Sequence, residues 1–161
     1  MPELPEVETV KNGLVKAWVG KTIEKIILRR ANLRYPFPEN FSKQLEDHKI
    51  TGIRRRAKYL LIDTDGDLVF LSHLGMSGKY TLFDSKSVSK YDHTNSEKNS
   101  VFGEKTGFGG KHDHMEIRFQ DGSVSVYTDP RRFGIVKLFH RSEEQVQSLL
   151  EVLGPEPFDD W

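Results

Sequence analysis

The chain has 161 residues, 36% of them hydrophobic, and a formal net charge of zero. This length allows one globular domain, or two small ones at most, and a neutral chain has no overall field that would attract nucleic acid or membrane, so any polyanion site must come from local clusters of cations. There is no cysteine, which excludes disulfide frameworks and thiolate metal sites. Neither a signal peptide nor a membrane span is visible, and we expect a soluble cytoplasmic protein with no membrane partner.

The first predicted element is a helix that begins at Leu4 and ends at Gly20. Its apolar residues recur every three or four positions, which places them on one face of a helix: Leu4, Val7, Val10, Leu14, Ala17 and Trp18. Glycine is a common residue just after the last turn of a helix. The spacing therefore predicts an N-terminal helix with one buried face.

The residues at the start of this helix place an amine beside carboxylic acids. If Met1 is removed, the nitrogen of Pro2 becomes the chain terminus, and an α-amino group loses its proton near pH ~8. Such an amine can attack a carbonyl-like carbon and form an iminium ion, with Glu3 and Glu6 as the nearest acids or bases. The alternative is an ordinary helix start, because proline and glutamate suit the first turn and its dipole. These residues alone favour the ordinary start.

The rest of the chain is predicted to form strands joined by tight turns. Asp65-Gly66 and Asp121-Gly122 are pairs typical of hairpins, and each lies between two strand-like runs. The predicted strands span residues 22–29, 50–63, 67–73, 115–119, 123–128 and 135–140, with helices at 39–47 and 142–152. Strands in hairpins imply an antiparallel β-sandwich or flattened barrel with flanking helices. The polar, glycine-rich residues 84–110 are expected to be a flexible insertion.

A basic run precedes Tyr59. Within a strand, alternation would place Lys58 on the same face as Arg54 and Arg56. One interpretation is a solvated sheet face, and the other is a ridge of cations that neutralises the phosphates of a duplex.

Three further segments are candidates for a site. In residues 73–78 two glycines flank Met76, which suggests a bent loop that exposes an apolar side chain, although packing in the core is a fair alternative. In residues 111–114, His112 and His114 could suggest a metal site, but a phosphate contact or a structural hydrogen bond suits them better because only one carboxylate lies between them.

The third segment, residues 128–134, is a turn that carries Arg131 and Phe133 in front of a strand. An arginine and an apolar ring at a loop tip can enter a base stack and fill the gap left by a nucleotide that has turned out. In the alternative, Asp129 forms a salt bridge with an arginine and Phe133 packs inside. The segment by itself leaves both open.

Six motifs in a fixed order carry a family resemblance: PELPEVET at 2–9, RRAKYLL at 55–61, HLGMSG at 73–78, KHDH at 111–114, YTDPRRFG at 127–134 and LGPEP at 153–157. Together they resemble the N-terminal domain of bacterial formamidopyrimidine-DNA glycosylases across nearly the whole chain. The resemblance implies a mainly β sandwich whose N-terminal helix carries the catalytic end. It also implies a base-excision repair enzyme that excises oxidised purines, above all 8-oxoguanine and formamidopyrimidines, and then cleaves the abasic site by β,δ-elimination.

The resemblance also implies roles for particular residues. Pro2 is the nucleophile that attacks C1′ and forms the Schiff base, and Glu3 is the acid and base for glycosidic cleavage and ring opening. Glu6 is a carboxylate near the lesion pocket, and Lys58 holds a phosphate near the lesion. Further backbone contacts come from His73, His112 and Arg131, and the trio that fills the void and probes the orphan base is Met76, Arg131 and Phe133.

Members of this family continue past LGPEP into a helix-two-turn-helix domain and a four-cysteine zinc finger. We therefore expect residues 1–161 to be the catalytic domain alone, with no cofactor in this chain and with zinc only in the absent finger. The expected partner is double-stranded DNA containing oxidised purines or abasic sites, bound weakly and with little independent activity. The alternatives are a catalytically silent DNA-binding or interaction module, and one half of a split enzyme that a separate C-terminal half completes.

Overall fold

Two antiparallel sheets form the frame of the protein. The computed structural model describes residues 4–86 and 112–146, and within these ranges the chain forms eight strands and two α-helices. In chain order the elements are α1 Leu4–Trp18, β1 Ile23–Leu28, α2 Phe41–Leu45, β2 Ile50–Arg56, β3 Tyr59–Thr64, β4 Leu68–His73, β5 Lys79–Phe83, β6 Asp113–Phe119, β7 Val124–Thr128, β8 Ile135–His140 and a 3₁₀-helix over Arg141–Val146. The strand orders are β1-β6-β7-β5 and β2-β3-β4-β8, and every paired strand is antiparallel. The predicted mainly β sandwich with an N-terminal helix is confirmed.

The buried face of α1 joins the core that both sheets share. Val7, Leu14 and Trp18 are fully buried, as their spacing predicted, and the helix ends before Gly20, whose φ is 91°. The ring centroids of Trp18 and Tyr80 lie 5.1 Å apart, with the rings in an edge-to-face arrangement. Burial of each large apolar side chain contributes about 1.5–3 kcal/mol. The helix is therefore held mainly by this face, which also fixes where its first turn lies.

The predicted strand over residues 50–63 is wrong in one respect, because the structure divides it into β2 and β3. The two strands pair from Arg56 and Tyr59 outward, so that Ala57 and Lys58 form a two-residue turn. Ala57 adopts φ 51°, a conformation in which glycine or asparagine is usual, and the sequence therefore lacks the ordinary turn signal. Lys58 does not share a strand face with Arg54 and Arg56, because it projects from a turn at the end of the sheet.

The strand β5 has no counterpart among the predicted strands. Among the described residues this five-residue strand lies at the edge of its sheet and pairs only with β7, and its residues are mostly half-buried or exposed, so its hydrophobic alternation is weak. At the other end of the described chain, the 3₁₀-helix begins at Arg141, and the remainder of the helix predicted over 142–152 lies outside the described residues. No helix in the described ranges is long and apolar enough to cross a membrane.

Several predictions cannot be compared with the structure. Pro2 and Glu3, most of the predicted insertion at 84–110 and the LGPEP motif lie outside the described residues.

Candidate functional site

Three of the predicted site segments meet at one end of the second sheet. Lys58 lies in the turn between β2 and β3, and Tyr59 pairs with His73, the last residue of β4. His73 in turn pairs with Ile135, the first residue of β8. The chain segments 74–78 and 129–134, called here the tip loops, therefore leave the sheet beside the turn that carries Lys58. These motifs are far apart in the sequence, and the antiparallel pairing of the strands brings them together.

A buried carboxylate joins the two tip loops. Asp129 is 0% exposed, and its Oδ1 accepts hydrogen bonds from Ser77 Oγ at 2.7 Å and from the backbone N–H of Arg132 at 3.0 Å. Its Oδ2 accepts from the Tyr127 hydroxyl at 3.0 Å and from the backbone N–H of Gly134 at 2.8 Å. Burial and the neighbouring carboxylate of Asp129 raise the pKa of Tyr127, so its hydroxyl stays protonated and donates. Asp129 thus serves as an internal anchor of both loops rather than the partner of an arginine side chain.

The tip loops also pack against each other at glycines. Gly75 has φ 64°, and a Cβ at this position would lie 2.5 Å from the backbone carbon of Phe133. A Cβ at Gly134 would collide with the Tyr127 hydroxyl and would lie 2.8 Å from Asp129 Oδ2. Real Cβ atoms do not approach other atoms so closely, so both positions require glycine unless the loops move apart. The two loops therefore form one tightly packed unit.

This unit exposes two large apolar side chains. Met76 is 46% exposed and Phe133 is 47% exposed, which makes both core-packing alternatives wrong. Arg131 lies beside them, since its Nη1 is 3.4 Å from Met76 Sδ and its backbone N–H donates to Ser77 Oγ at 3.1 Å. The structure thus brings together the predicted trio on one exposed surface. Exposed apolar side chains on a supported loop are suited to contact an apolar or aromatic partner.

His73 lies beneath this surface as a neutral ring. It is 7% exposed, and its Nδ1 accepts a hydrogen bond from the backbone N–H of Gly75 at 3.0 Å. Burial, followed by the positive charges of Arg34 and Lys58, lowers the pKa of His73 to about 4. The ring is therefore uncharged near neutral pH, and Nε2 carries the proton. In the free chain the ring therefore offers Nε2–H as an uncharged hydrogen-bond donor.

An open cleft of about 350 Å³ lies beside this ring and the exposed side chains of Met76 and Phe133. Arg34, His73, Gly75, Met76 and Phe133 line it. The backbone N–H of Arg34 donates to the carbonyl of Gly134 at 3.4 Å, which fixes the loop that follows β1 against a tip loop. The sequence analysis gave Arg34 no role. Only the pairing of that loop with residue 134 shows its place in the site.

A chain of polar contacts links α1 to the turn that carries Lys58. Arg55 Nε donates to Glu8 Oε1 at 2.7 Å, and Arg55 Nη1 donates to the carbonyl of Ala57 at 2.9 Å. The hydrogen bonds from Arg55 and Lys11 lower the pKa of Glu8, so the carboxylate stays ionised. The first turns of α1 are therefore held near the Lys58 turn. Glu6 is exposed in this first turn, and its predicted place near a lesion pocket stays a prediction.

The two histidines of the KHDH motif have different surroundings. His114 is buried, and its Nε2 makes a 2.7 Å hydrogen bond with the backbone carbonyl of Asp129, while burial lowers the pKa of its ring. This confirms the structural hydrogen bond as the role of His114. His112 is half-buried ahead of β6, and its carbonyl accepts from the backbone N–H of Asp129 at 3.0 Å. Its contact with DNA stays a prediction. Within residues 4–86 and 112–146 no three metal-binding side chains cluster.

Comparisons with known proteins identify relatives of the chain in sequence and in fold. Residues 1–136 match the family model of the formamidopyrimidine-DNA glycosylase N-terminal domain. The chain is 41% identical over 160 residues to the formamidopyrimidine-DNA glycosylase of Rhodopseudomonas palustris strain BisA53, covering 98% of this chain and 51% of the relative. It is 43% identical over 160 residues to the enzyme of the same name from Xanthomonas euvesicatoria pv. vesicatoria strain 85-10, covering 99% and 51%.

Solved structures of a Lactococcus lactis protein are also similar. Fpg in complex with DNA containing an abasic site has a TM-score of 0.71 and 32% identity, covering 93% of this chain and 48% of that one. The same protein with DNA containing N7-benzyl-Fapy-dG has a TM-score of 0.72 and 33% identity, covering 96% and 49%. The chain spans about half the length of the relatives that it matches. It belongs to the family of the formamidopyrimidine-DNA glycosylase N-terminal domain.

Proposed function

We propose that this chain is the catalytic domain of a base-excision repair DNA glycosylase and AP lyase that acts on oxidised purines such as 8-oxoguanine and formamidopyrimidines. The observation that carries the proposal is the exposed trio Met76, Arg131 and Phe133, which lies on two tightly packed loops beside a cleft lined by Arg34. Side chains of this kind can fill the space left in a duplex when a nucleotide is turned out. Support comes from relatives named formamidopyrimidine-DNA glycosylase and from similar structures in complex with abasic and formamidopyrimidine-containing DNA.

The proposed chemistry uses the amine of Pro2 as the nucleophile after removal of Met1. The amine attacks C1′ of the damaged nucleotide, the glycosidic bond breaks, and an iminium forms between the Pro2 nitrogen and C1′. Glu3 moves the protons of base departure and of the opening of the C1′–O4′ bond that yields the iminium. β,δ-elimination then expels the 3′ and the 5′ phosphate, and water hydrolyses the iminium, which releases the sugar fragment and regenerates the Pro2 amine. Support for this placement comes from the contacts of Arg55 with Glu8 and with the turn of Lys58, because they hold the start of α1 beside a cation that can bind a phosphate.

This chemistry requires only the amine and side chains of the chain, so we propose that the domain needs no cofactor. Zinc belongs, in this proposal, to a finger of the kind that longer family members carry. Preincubation with EDTA should therefore leave the reaction of this chain unchanged. The proposed location is the cytoplasm, because bacterial chromosomal DNA lies there.

Borohydride trapping tests the proposal. The chain, with Met1 removal verified by intact mass, is incubated at low salt with duplexes containing 8-oxoguanine or an abasic site, and borohydride reduces any iminium to a stable adduct. We expect an adduct that peptide mapping places on the Pro2 nitrogen, and that Glu3→Gln reduces with the 8-oxoguanine substrate. Glu24→Gln, which changes an exposed carboxylate on β1, is the matched control and should trap like the unaltered chain.

The outcomes separate the proposed enzyme from its alternatives. DNA binding with no adduct at any protein concentration would identify a catalytically silent binding module. An adduct that forms only after addition of a C-terminal half from a relative would identify one half of a split enzyme. An adduct that maps to a residue other than Pro2 would contradict the role of Pro2.

A further inference from the structure

Arg55 joins two parts of the chain that carry the proposed chemistry. Its Nε donates to Glu8 Oε1 at 2.7 Å, and its Nη1 donates to the backbone carbonyl of Ala57 at 2.9 Å. Glu8 belongs to α1, and Ala57 lies in the turn that also carries Lys58. One guanidinium therefore holds the helix and the turn together, because its planar fork presents several donors at fixed angles.

Arg55 faces a different side of the sheet from the arginine that precedes it. It pairs in register with Leu60, which belongs to the core that both sheets share, whereas Arg54 pairs with Leu61 on the opposite face. Arg54 forms its ion pair with Asp63 of the neighbouring strand β3. Arg55 therefore faces the side on which α1 packs, and Arg54 faces away from it.

The turn needs support because Ala57 adopts an unfavourable conformation. Its φ of 51° lies in the left-handed region, where residues with a Cβ are uncommon. Ala57 is buried, and its carbonyl accepts the hydrogen bond from Arg55. A charged donor on this carbonyl stabilises the turn in the conformation from which Lys58 projects. Without this donor the turn would shift to other conformations, and the position of Lys58 would vary.

The other contact of Arg55 lies near the start of α1. Glu8 is in the second turn of the helix, and Val7 beside it is fully buried, which fixes the rotation of the helix about its axis. The helix begins two residues after Pro2 in the sequence. Arg55 therefore links the segment that follows the proposed nucleophile to the turn of Lys58.

We propose that Arg55 is a positioning residue of the proposed lyase site. Through Ala57 and Glu8 it holds the turn of Lys58 at a set distance from the start of α1. This inference rests on the proposed function. Arg55 contacts neither the DNA nor the reacting atoms in it, and acts on the reaction only through the groups that it holds in place. Loss of Arg55 should therefore slow the reaction more than it weakens substrate binding, since small displacements of reacting groups cost much of the rate.

Single-turnover strand cleavage of a duplex with an abasic site tests this inference. With the protein in excess at low salt, and with Met1 removal verified by intact mass, the assay gives the cleavage rate at saturation and the protein concentration at half that rate. We expect R55Q to lower the saturating rate about 10- to 100-fold and to change the half-saturating concentration less than about threefold. R55K should fall between R55Q and the unaltered chain, because an ammonium retains the charge but lacks the planar fork.

Removal of the Glu8 carboxylate tests whether Arg55 acts through the helix. Glu8→Ala should slow cleavage, and the double variant E8A/R55Q should be no slower than R55Q, because both changes break the same link. If the double variant were slower by the product of the two single effects, Arg55 would not act through Glu8, and the inference would be wrong.

Lys21→Gln is the matched control. The side chain of Lys21 is 30% exposed, against 25% for Arg55, and it also connects α1 to a hairpin turn. Lys21 follows the last turn of the helix, and its Nζ donates to Ser123 Oγ at 2.9 Å and lies 3.3 Å from Asp121 Oδ2. This link lies about 20 Å along the helix from its start. Urea unfolding of K21Q should show a loss of stability similar to that of R55Q, while K21Q cleaves like the unaltered chain.

The outcomes separate the inference from the proposed function. If the unaltered chain cleaved the duplex and R55Q reached the same saturating rate, the assignment of Arg55 would be wrong and the proposed function would stand. A loss confined to the half-saturating concentration would make Arg55 a DNA-binding residue instead. If K21Q slowed cleavage as much as R55Q did, lost stability would explain both results and exclude a positioning role. Absence of both cleavage and a trapped adduct with the unaltered chain would overturn the inference together with the proposed function.

Discussion

Replacement of Asp129 tests whether this buried carboxylate holds the tip loops together. Asp129→Ala removes the acceptor of four hydrogen bonds, those from Ser77 Oγ, the Tyr127 hydroxyl and the backbone N–H groups of Arg132 and Gly134. Asp129→Asn retains one oxygen. The asparagine NH₂ group can donate to Ser77 Oγ, and its oxygen can accept from the Tyr127 hydroxyl and from the N–H of Gly134. The N–H of Arg132 keeps its 3.2 Å contact with the carbonyl of residue 129.

The expected losses of stability differ for these two changes. A buried donor left without an acceptor costs about 1–3 kcal/mol, and the Tyr127 hydroxyl and the N–H of Gly134 are both buried. The Ser77 hydroxyl and the N–H of Arg132 are only partly buried and can reach water, so they add about 1 kcal/mol together. Asp129→Ala should therefore lower the free energy of unfolding by about 3–7 kcal/mol, and Asp129→Asn by about 1–2 kcal/mol.

Urea unfolding, followed by circular dichroism, measures these losses. Asp121→Ala is the control, because Asp121 also accepts hydrogen bonds in a turn, from Ser123, but is about half exposed and should cost less than about 1.5 kcal/mol. Hydrogen exchange of the Gly134 amide should accelerate in Asp129→Ala beyond the change in global stability. If Asp129→Ala cost no more than Asp121→Ala, Asp129 would not be the anchor of the tip loops.

Three further predictions concern the same end of the sheet. The pKa of His73 is about 4 in the folded chain and 6.5 when unfolded, so the unfolded chain binds more protons between these values, and lowering the pH from 7 to 5 should reduce the free energy of unfolding by about 2 kcal/mol. Urea titrations at several pH values would measure this loss, and His73→Asn should flatten it. Gly75→Ala should destabilise the chain by about 1–3 kcal/mol in the same assay, whereas Gly13→Ala, which meets no atom within 4 Å, should stabilise α1 by about 0.5–1 kcal/mol. Phe133→Ala should leave the unfolding free energy within about 0.5 kcal/mol of its original value and weaken binding of abasic duplex by about 1–3 kcal/mol in anisotropy titrations, and an equal loss of stability would contradict an exposed binding role.

Most of the fold was predicted from the spacing of hydrophobic residues and from the residues that favour turns. The positions of Val7, Leu14 and Trp18 predicted both the helix and its buried face, because burial of a periodic apolar stripe dominates helix placement. The Asp121-Gly122 pair likewise predicted a hairpin, and Gly122 has φ 92°. The turn at Ala57 was missed because it adopts a left-handed conformation without a residue that favours it.

The candidate site was predictable only in part. The motifs identified Met76, Arg131 and Phe133, and their exposure agrees with a role at the surface. The place of Arg34 depends on a contact with residue 134, one hundred positions away along the chain, which no local pattern encodes. The anchoring role of Asp129 was missed for the same reason, since its most distant partner is Ser77 in the other tip loop.

The tight packing of Gly75 against Phe133 has a consequence for how damaged DNA would be found. Because the two tip loops are packed tightly together, insertion of Phe133 has to deform the duplex rather than the loops. The free energy of insertion is then set by how easily the base pairs separate. A base pair that is already weakened then opens at lower cost than an intact one. Under the proposed function, the rigid tip loops would distinguish damaged from intact base pairs by the free energy needed to open them, before any contact with the damaged base itself.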